Sequence, residues 1–211
     1  MGRLFLITLG FHEDHVIRRL VNDKASKNDR VVLITASPIA SATQRAYESL
    51  TAVCGKMGLP RPELVGVSTD PYEGLKTLIS LLGSEESVVL DLSGGMRHLS
   101  VYTLIAFLLT RREGKIYLQP ESGEVSEVAI PETLIRAFFN PPKPAEVELM
   151  RIIGASEGLS VRDLARLSSK SEKTVMNILS SLSRRGLVVR RGRAGGAFLT
   201  SAGRLLLEVL R

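Results

Sequence analysis

The chain has 211 residues, 44% of them hydrophobic and 24% charged, with a formal net charge of +6, an ordinary globular composition with apolar material for one large core or two smaller ones. Its single cysteine, Cys54, excludes a disulfide framework and a thiolate zinc site, which need several thiols, and suits a reducing cytoplasm, the expected location. The opening apolar run is too short and too soon acidic for a signal peptide, and the longest apolar stretch, residues 99–109, falls well short of the roughly 20 residues that span a bilayer, so no membrane contact is expected.

In chain order, short runs at 4–9, 31–35, 63–67, 88–92 and 115–118, most of them rich in Val, Ile and Leu, predict strands buried on both faces. Helix-length segments lie between them at 13–22, 40–57, 72–82 and 96–111. This alternation predicts βαβ units with right-handed crossovers and a mostly parallel, Rossmann-like α/β sheet, with 126–130 as a sixth strand. Residues 99–110 contain no charge, and a helix apolar on all sides is buried on more than one face. One face meets the sheet. The other meets a second subunit, giving a homodimer, or another helix of the same chain.

Three prolines in four residues, within Asn140-Pro141-Pro142-Lys143-Pro144, predict a stiff linker, because proline lacks the N–H for helix or sheet and restrains its predecessor. The expected domains are therefore 1–140 and 145–211, joined by 141–144. In the second, a helix over 145–155 is followed by a capping-box start at Ser160 and Asp163, a turn at 168–170 and a longer helix over 171–185. A glycine-turned hairpin over 187–199 and a last helix from 201 complete a winged helix-turn-helix.

Charge supports this division. Residues 1–145 hold 16 Lys and Arg against 16 Asp and Glu, whereas residues 146–211 hold 12 against 6. A basic module beside a neutral one points to a polyanion, here double-stranded DNA. In the helix over 171–185, Val175, Ile178, Leu179 and Leu182 form one apolar stripe. The opposite face carries Lys173, Asn177, Ser180 and Arg184, with Thr174 and Ser181 flanking it and Ser171 at its start. Asn and Arg make paired contacts to base edges, while Lys, Ser and Thr hold phosphates. Arg190, Arg191 and Arg193 in the wing suit the neighbouring backbone or minor groove. A helix-turn-helix used only for protein contacts is the alternative.

In the neutral domain two loops stand out: Gly10-Phe11-His12-Glu13 after the first strand, and Asp91-Leu92-Ser93-Gly94-Gly95-Met96-Arg97-His98 after the fourth. In a doubly wound sheet those strands lie side by side, and their carboxyl ends flank the ligand crevice. Ser93-Gly94-Gly95 at a helix start is expected to cradle an anion. Arg97 in the first helical turn opposes the macrodipole and needs an external reason, either a bound phosphate or an ion pair with Asp91. Ser37-Pro38-Ile39 walls the same crevice. Neither G-x-G-x-x-G nor G-x-x-x-x-G-K-[ST] occurs, so classical dinucleotide and NTP sites lose their fingerprints. His12 and His15 lack a third metal ligand, Ser93 lacks an obvious base unless His12 or His98 approaches it, and Cys54 reads as packing. No catalytic residue, metal or cofactor is expected.

Thr8-Leu9-Gly10-Phe11-His12-Glu13, Ser37-Pro38-Ile39, Asp91-Leu92-Ser93-Gly94-Gly95-Met96-Arg97 and Ser171-Glu172-Lys173-Thr174, in that order, make the whole chain resemble the CARF–winged-helix regulators of CRISPR–Cas loci, CARF standing for CRISPR-associated Rossmann fold. The resemblance implies a homodimer whose CARF domains bind a cyclic oligoadenylate, typically the tetra-adenylate, across the two-fold axis. It places Gly10–His12 and Ser93–His98 in the ligand site, and CRISPR–Cas promoters or leaders under the winged helices. Some CARF domains also cut the ring, so a ring nuclease is one alternative. A regulator sensing another nucleotide or small anion is the other.

Overall fold

A computed structural model of the chain describes residues 2–83, 87–120, 128–192 and 196–210. They form two compact units, Met1–Pro131 and Glu132–Arg211.

The first unit is a six-stranded sheet with β1 (Leu4–Thr8), β2 (Arg30–Ala36), β3 (Glu63–Val67), β4 (Ser87–Asp91), β5 (Glu113–Leu118) and β6 (Val128–Ile130). The helices α1 (Asp14–Asn22), α2 (Ser41–Lys56), α3 (Pro71–Leu82) and α4 (Arg97–Thr110) alternate with them. Strand order is β3-β2-β1-β4-β5-β6. All pairs are parallel except β5 with β6, which runs antiparallel. Every residue of β1 is buried, as its unbroken apolar run requires of a central parallel strand. Because β1 has β2 on one side and β4 on the other, the crossovers leave in opposite directions and open a crevice at the carboxyl ends. Predicted strands and helices agree with these bounds to within two residues. The sixth strand is shorter than its predicted span, of which 126 and 127 lie outside the described residues.

Helix ends follow their local chemistry. Asp70 accepts the N–H groups of Tyr72 and Glu73 at the start of α3, with Pro71 in the first turn, where its missing N–H costs nothing. The chain entrance is fastened by Arg3, which pairs with Asp29 at 2.9 Å and also donates its backbone N–H to that carboxylate at 2.7 Å.

The second unit holds α5 (Glu132–Phe139), α6 (Pro144–Ala155), α7 (Val161–Ser168), α8 (Glu172–Arg184), β7 (Val188–Arg191), β8 (Gly196–Leu199) and α9 (Ser201–Val209). Its order from α6 onward is that of a winged helix-turn-helix. Ser160 and Asp163 form the expected capping box, Ser171 accepts the N–H of Thr174, and Thr200 accepts that of Gly203. The core comprises Leu149, Ile153, Leu164, Val175, Leu179, Leu182 and Leu187 with their neighbours.

Two features depart from expectation. Helix α5 is present where none was predicted, and the division between units falls at Pro131, ahead of the prolines. Residues 141–144 are therefore the joint between α5 and α6 inside one unit. Arg185 explains why: it donates to the Asn140 carbonyl at 3.0 Å and pairs with Glu146 at 2.7 Å. Glu146 also accepts the Lys143 N–H at 2.7 Å and the Ser181 hydroxyl at 2.8 Å. A side chain added at Gly186 would meet the Thr133 methyl at 2.5 Å, so α5 lies directly on the turn that follows α8.

The Asp29 clasp makes stability depend on acid. Burial alone would raise this carboxyl, but the bonds from the Arg3 side chain and from the N–H groups of Arg3 and Ser26, with the Arg3 charge, outweigh it and hold the pKa at about 2. A carboxyl that ionises more easily folded than unfolded stabilises the fold fully above its ordinary range near pH 4 and loses that contribution as pH falls toward 2. The wild type should lose about 2 kcal/mol of unfolding free energy from this group across that interval. Urea titrations of Asp29→Asn should show a lower, flatter profile there; a profile parallel to wild type would exclude the clasp.

Candidate ligand site and nucleic-acid interface

The crevice rests on a buried ionic network. Arg19 of α1 is almost wholly buried and donates through Nε to Asp91 at 2.8 Å and through Nη1 to Asp23 at 2.9 Å. Its guanidinium carbon lies 3.5 Å from the centroid of the Tyr117 ring. Asp91, the last residue of β4, is thus neutralised by Arg19. Arg97 is exposed and forms no ion pair among the described residues, which removes the expected alternative of an Arg97–Asp91 pair. The second Asp91 oxygen accepts the Ser93 N–H at 2.9 Å.

The loop above is held just as closely. The Thr8 hydroxyl donates to the Asp91 carbonyl at 3.3 Å and accepts the Gly94 N–H at 3.2 Å. His15 Nε2 donates to the Thr8 carbonyl at 2.9 Å, and its ring lies where a Gly94 side chain would be. Gly95 has φ +75° with its Cα side against the Leu9 carbonyl, a conformation and an approach that favour glycine.

These bonds correct the expected cradle. The N–H groups of Ser93 and Gly94 are consumed within the loop. The four that follow, on Gly95, Met96, Arg97 and His98, make no hydrogen bond among the described residues. The unbonded donors therefore begin at Gly95 and run into the first turn of α4, at the positive end of the helix dipole.

Beside them is a cavity of about 220 Å³ lined by Leu9, Gly10, Phe11, His12, Thr35, Ala36, Pro38, Ala40, Thr43, Gly95 and Met96. The structure brings together Gly10, Phe11, His12, Pro38, Gly95 and Met96 as predicted, with Pro38 following a cis peptide bond. Ser37 is not in the lining; its N–H bonds to the Val67 carbonyl at 2.9 Å and its side chain faces Gly66. Ser93 and Arg97 also lie outside the lining. His98 packs edge-on against Tyr102 at 5.5 Å with its Nε2 buried and unbonded. Leu9 after β1, Thr35 and Ala36 of β2, Ala40 just before α2 and Thr43 of α2 complete the lining, and nothing in their residue types distinguishes them from core.

Helix α4 is covered on one side and open on the other. Leu99, Thr103, Ala106 and Phe107 are buried and the helix packs along α3, while Val101, Ile105 and Leu109 remain 54%, 39% and 63% exposed at four-residue spacing. Tyr72 and Ile79 of α3 are exposed as well.

On α8, Lys173, Thr174, Asn177, Ser180 and Arg184 are exposed as predicted. Two of the predicted residues also have structural work. Ser171 caps the helix, its hydroxyl 2.8 Å from that of Thr174, and Ser181 turns inward to Glu146. Glu146 is held below the usual carboxylate range: burial would raise it, but the bonds from Lys143, Ser181 and Arg185 and the Arg185 charge prevail. Arg190 and Arg191 are exposed on β7, and Arg193 lies outside the described residues.

Residues 3–131 match the family described as the Csa3 CRISPR-associated Rossmann-like domain. The chain is 28% identical over 191 residues, 90% of its own length and 81% of the relative's, to Csa3 of Saccharolobus solfataricus, a CRISPR locus-related protein named as DNA-binding. Among solved structures it is similar to the multiple antibiotic-resistance repressor MarR of Listeria monocytogenes at 22% identity and TM-score 0.29, covering 30% of this chain and 46% of that one. It is also similar to a MarR family protein of Mycobacterium tuberculosis at 29% identity and TM-score 0.32, covering 37% and 59%. The chain spans about half the length of the solved structures it matches.

Gly94 tests how firmly the loop is held. A methyl group there meets the His15 ring and, at 2.7 Å, the Thr8 carbonyl, so Gly94→Ala should destabilise the fold by about 1–3 kcal/mol in urea unfolding. A variant as stable as wild type would show that the loop is not pinned against α1 and β1.

Proposed function

The chain belongs to the family of the Csa3 CRISPR-associated Rossmann-like domain, and from that premise we propose that it is a transcription regulator of a CRISPR–Cas locus, sensing a cyclic oligoadenylate through the first unit and binding double-stranded DNA through the second. The carrying observation is the run of four successive unbonded N–H groups from Gly95 to His98, at a helix start beside a mainly apolar cavity. An anion binds such a run well, because the donors converge and the dipole favours negative charge. The cavity, at about 220 Å³, is smaller than the roughly 300–1,000 Å³ that encloses a whole small molecule. It suits one nucleobase, with its phosphate outside on the donors and on Arg97.

A ring larger than one such site is then shared between two copies. Val101, Ile105 and Leu109 on α4, with Tyr72 and Ile79 on α3, offer the apolar face for a two-fold partner. An isologous contact repeats the same face on both copies and brings a second cradle to the same ring. Arg97 needs no partner within its own chain under this reading. Reorientation of the two copies changes the spacing of their recognition helices, which is how ligand reaches DNA affinity.

Calorimetric titration with cyclic tetra-adenylate tests the sensor. One ring should bind per two chains, and Arg97→Ala should weaken it at least tenfold while binding of duplex DNA without the ring stays as in wild type. No heat with this ring would turn the reading to another ring size, nucleotide or anion. Linear adenylate fragments appearing with time would make the pocket that of a ring nuclease.

The wing is tested by salt. Arg190→Ala with Arg191→Ala should weaken all duplexes alike and lessen the slope of log K against log salt by about 0.9 per arginine; a loss confined to one sequence would place these residues on bases.

A further inference from the structure

Packing accounts for every apolar side chain of α8 but one. Val175, Leu179 and Leu182 are buried, and Ile178 packs against the same core. Met176 is 53% exposed, and all other exposed residues of α8 are polar or charged. At helix spacing its exposed neighbours are Glu172, Lys173, Ser180 and Ser183, with Asn177, also exposed, next in the chain. It is the fifth residue of the helix, counting from Glu172.

We propose that Met176 determines sequence specificity by reading the C5 methyl group of thymine in the major groove, an assignment that rests on the DNA-binding reading above. The chemistry narrows the choice of partner. A thioether donates no hydrogen bond and accepts only weakly, so it has little to offer the N7, O6, O4, N6 or N4 positions of base edges. The thymine methyl is the apolar group that the major groove presents, and it distinguishes A·T from T·A and from both G·C orientations. The residue also sits in the half of the helix that reaches bases when a recognition helix enters the groove, its N-terminal half. A protein partner is the poorer fit. Protein interfaces centre on clustered apolar and aromatic side chains, whereas Met176 stands alone among a carboxylate, an ammonium, an amide and two hydroxyls. Beside Asn177, which pairs with adenine through N6 and N7, it gives the helix a reader for each base of an A·T pair.

The test uses the full chain and a randomised duplex pool. Selection with wild type defines a bound sequence, and each thymine in it is then replaced by deoxyuridine, which removes the methyl group and nothing else. One thymine in each half-site should lose about fourfold in affinity on replacement, the scale of one buried methyl group. The same replacement should cost Met176→Ala nothing, and selection with that variant should relax preference at that position alone. Met176→Leu, which keeps an apolar tip, should retain the sensitivity. Because the side chain is exposed and Ala favours helix, the variant is expected to fold. Selected binding with equal methyl sensitivity in wild type and Met176→Ala overturns the assignment, as does binding without any sequence preference. Failure of wild type to bind any duplex overturns the DNA-binding reading itself and this assignment with it.

Discussion

Asp91 is the residue on which the first unit turns. One oxygen of its carboxylate takes the Arg19 guanidinium from α1 and the other takes the Ser93 N–H from the loop after β4. Removing two opposite charges from water costs several kcal/mol each, and the cost is recovered only when geometry is good and the remaining donors and acceptors are filled. Here Asp23 takes a second guanidinium nitrogen, and the Tyr117 ring covers the guanidinium. The loop therefore cannot shift without losing its hydrogen bonds to Asp91 and Thr8. Its fixed shape consumes the N–H groups of Ser93 and Gly94 and leaves those of Gly95, Met96, Arg97 and His98 without a partner among the described residues.

The second unit uses the same device at a different place. Glu146 gathers the Lys143 N–H, the Ser181 hydroxyl and the Arg185 guanidinium, and Arg185 in turn holds the Asn140 carbonyl. Five positions, from the joint before α6, from α6 itself and from the end of α8, are thereby held as one body. The prolines stiffen this joint because φ is already set at each of them. The covalent path out of the first unit runs through α5, which touches the turn after α8 at Gly186, rather than through a free proline spacer.

Much of this architecture was legible in the residues. The unbroken apolar run of β1, the Asp70-Pro71 start of α3, and the serines and threonine that begin α7, α8 and α9 each place an element by chemistry acting within a few residues. That β1 and β4 lie side by side followed from the doubly wound pattern, and the rest of the strand order came from the fold. Helix α5 escaped because eight residues lying between Pro131 and the prolines read as part of a connection, although Leu134, Ile135, Phe138 and Phe139 supply an apolar side. Ser181 was placed on the DNA face by its angle on the helix, and only the position of Glu146 on α6 shows that it turns inward.

What the sequence determined by itself was the repertoire: a Rossmann-like sheet, a winged helix-turn-helix, a glycine-rich loop at a helix start and a basic face on α8. Tertiary structure alone decided which donors are spent and which remain. Arg19 and Asp91 are 72 positions apart, Thr8 and Gly94 are 86, and Glu146 and Ser181 are 35. Periodicity and capping act over one or two turns of chain, whereas a buried polar group takes whichever partner folding brings within about 3 Å. That is why the unbonded donors begin at Gly95 rather than at Ser93, and why Arg97 was left outside the core.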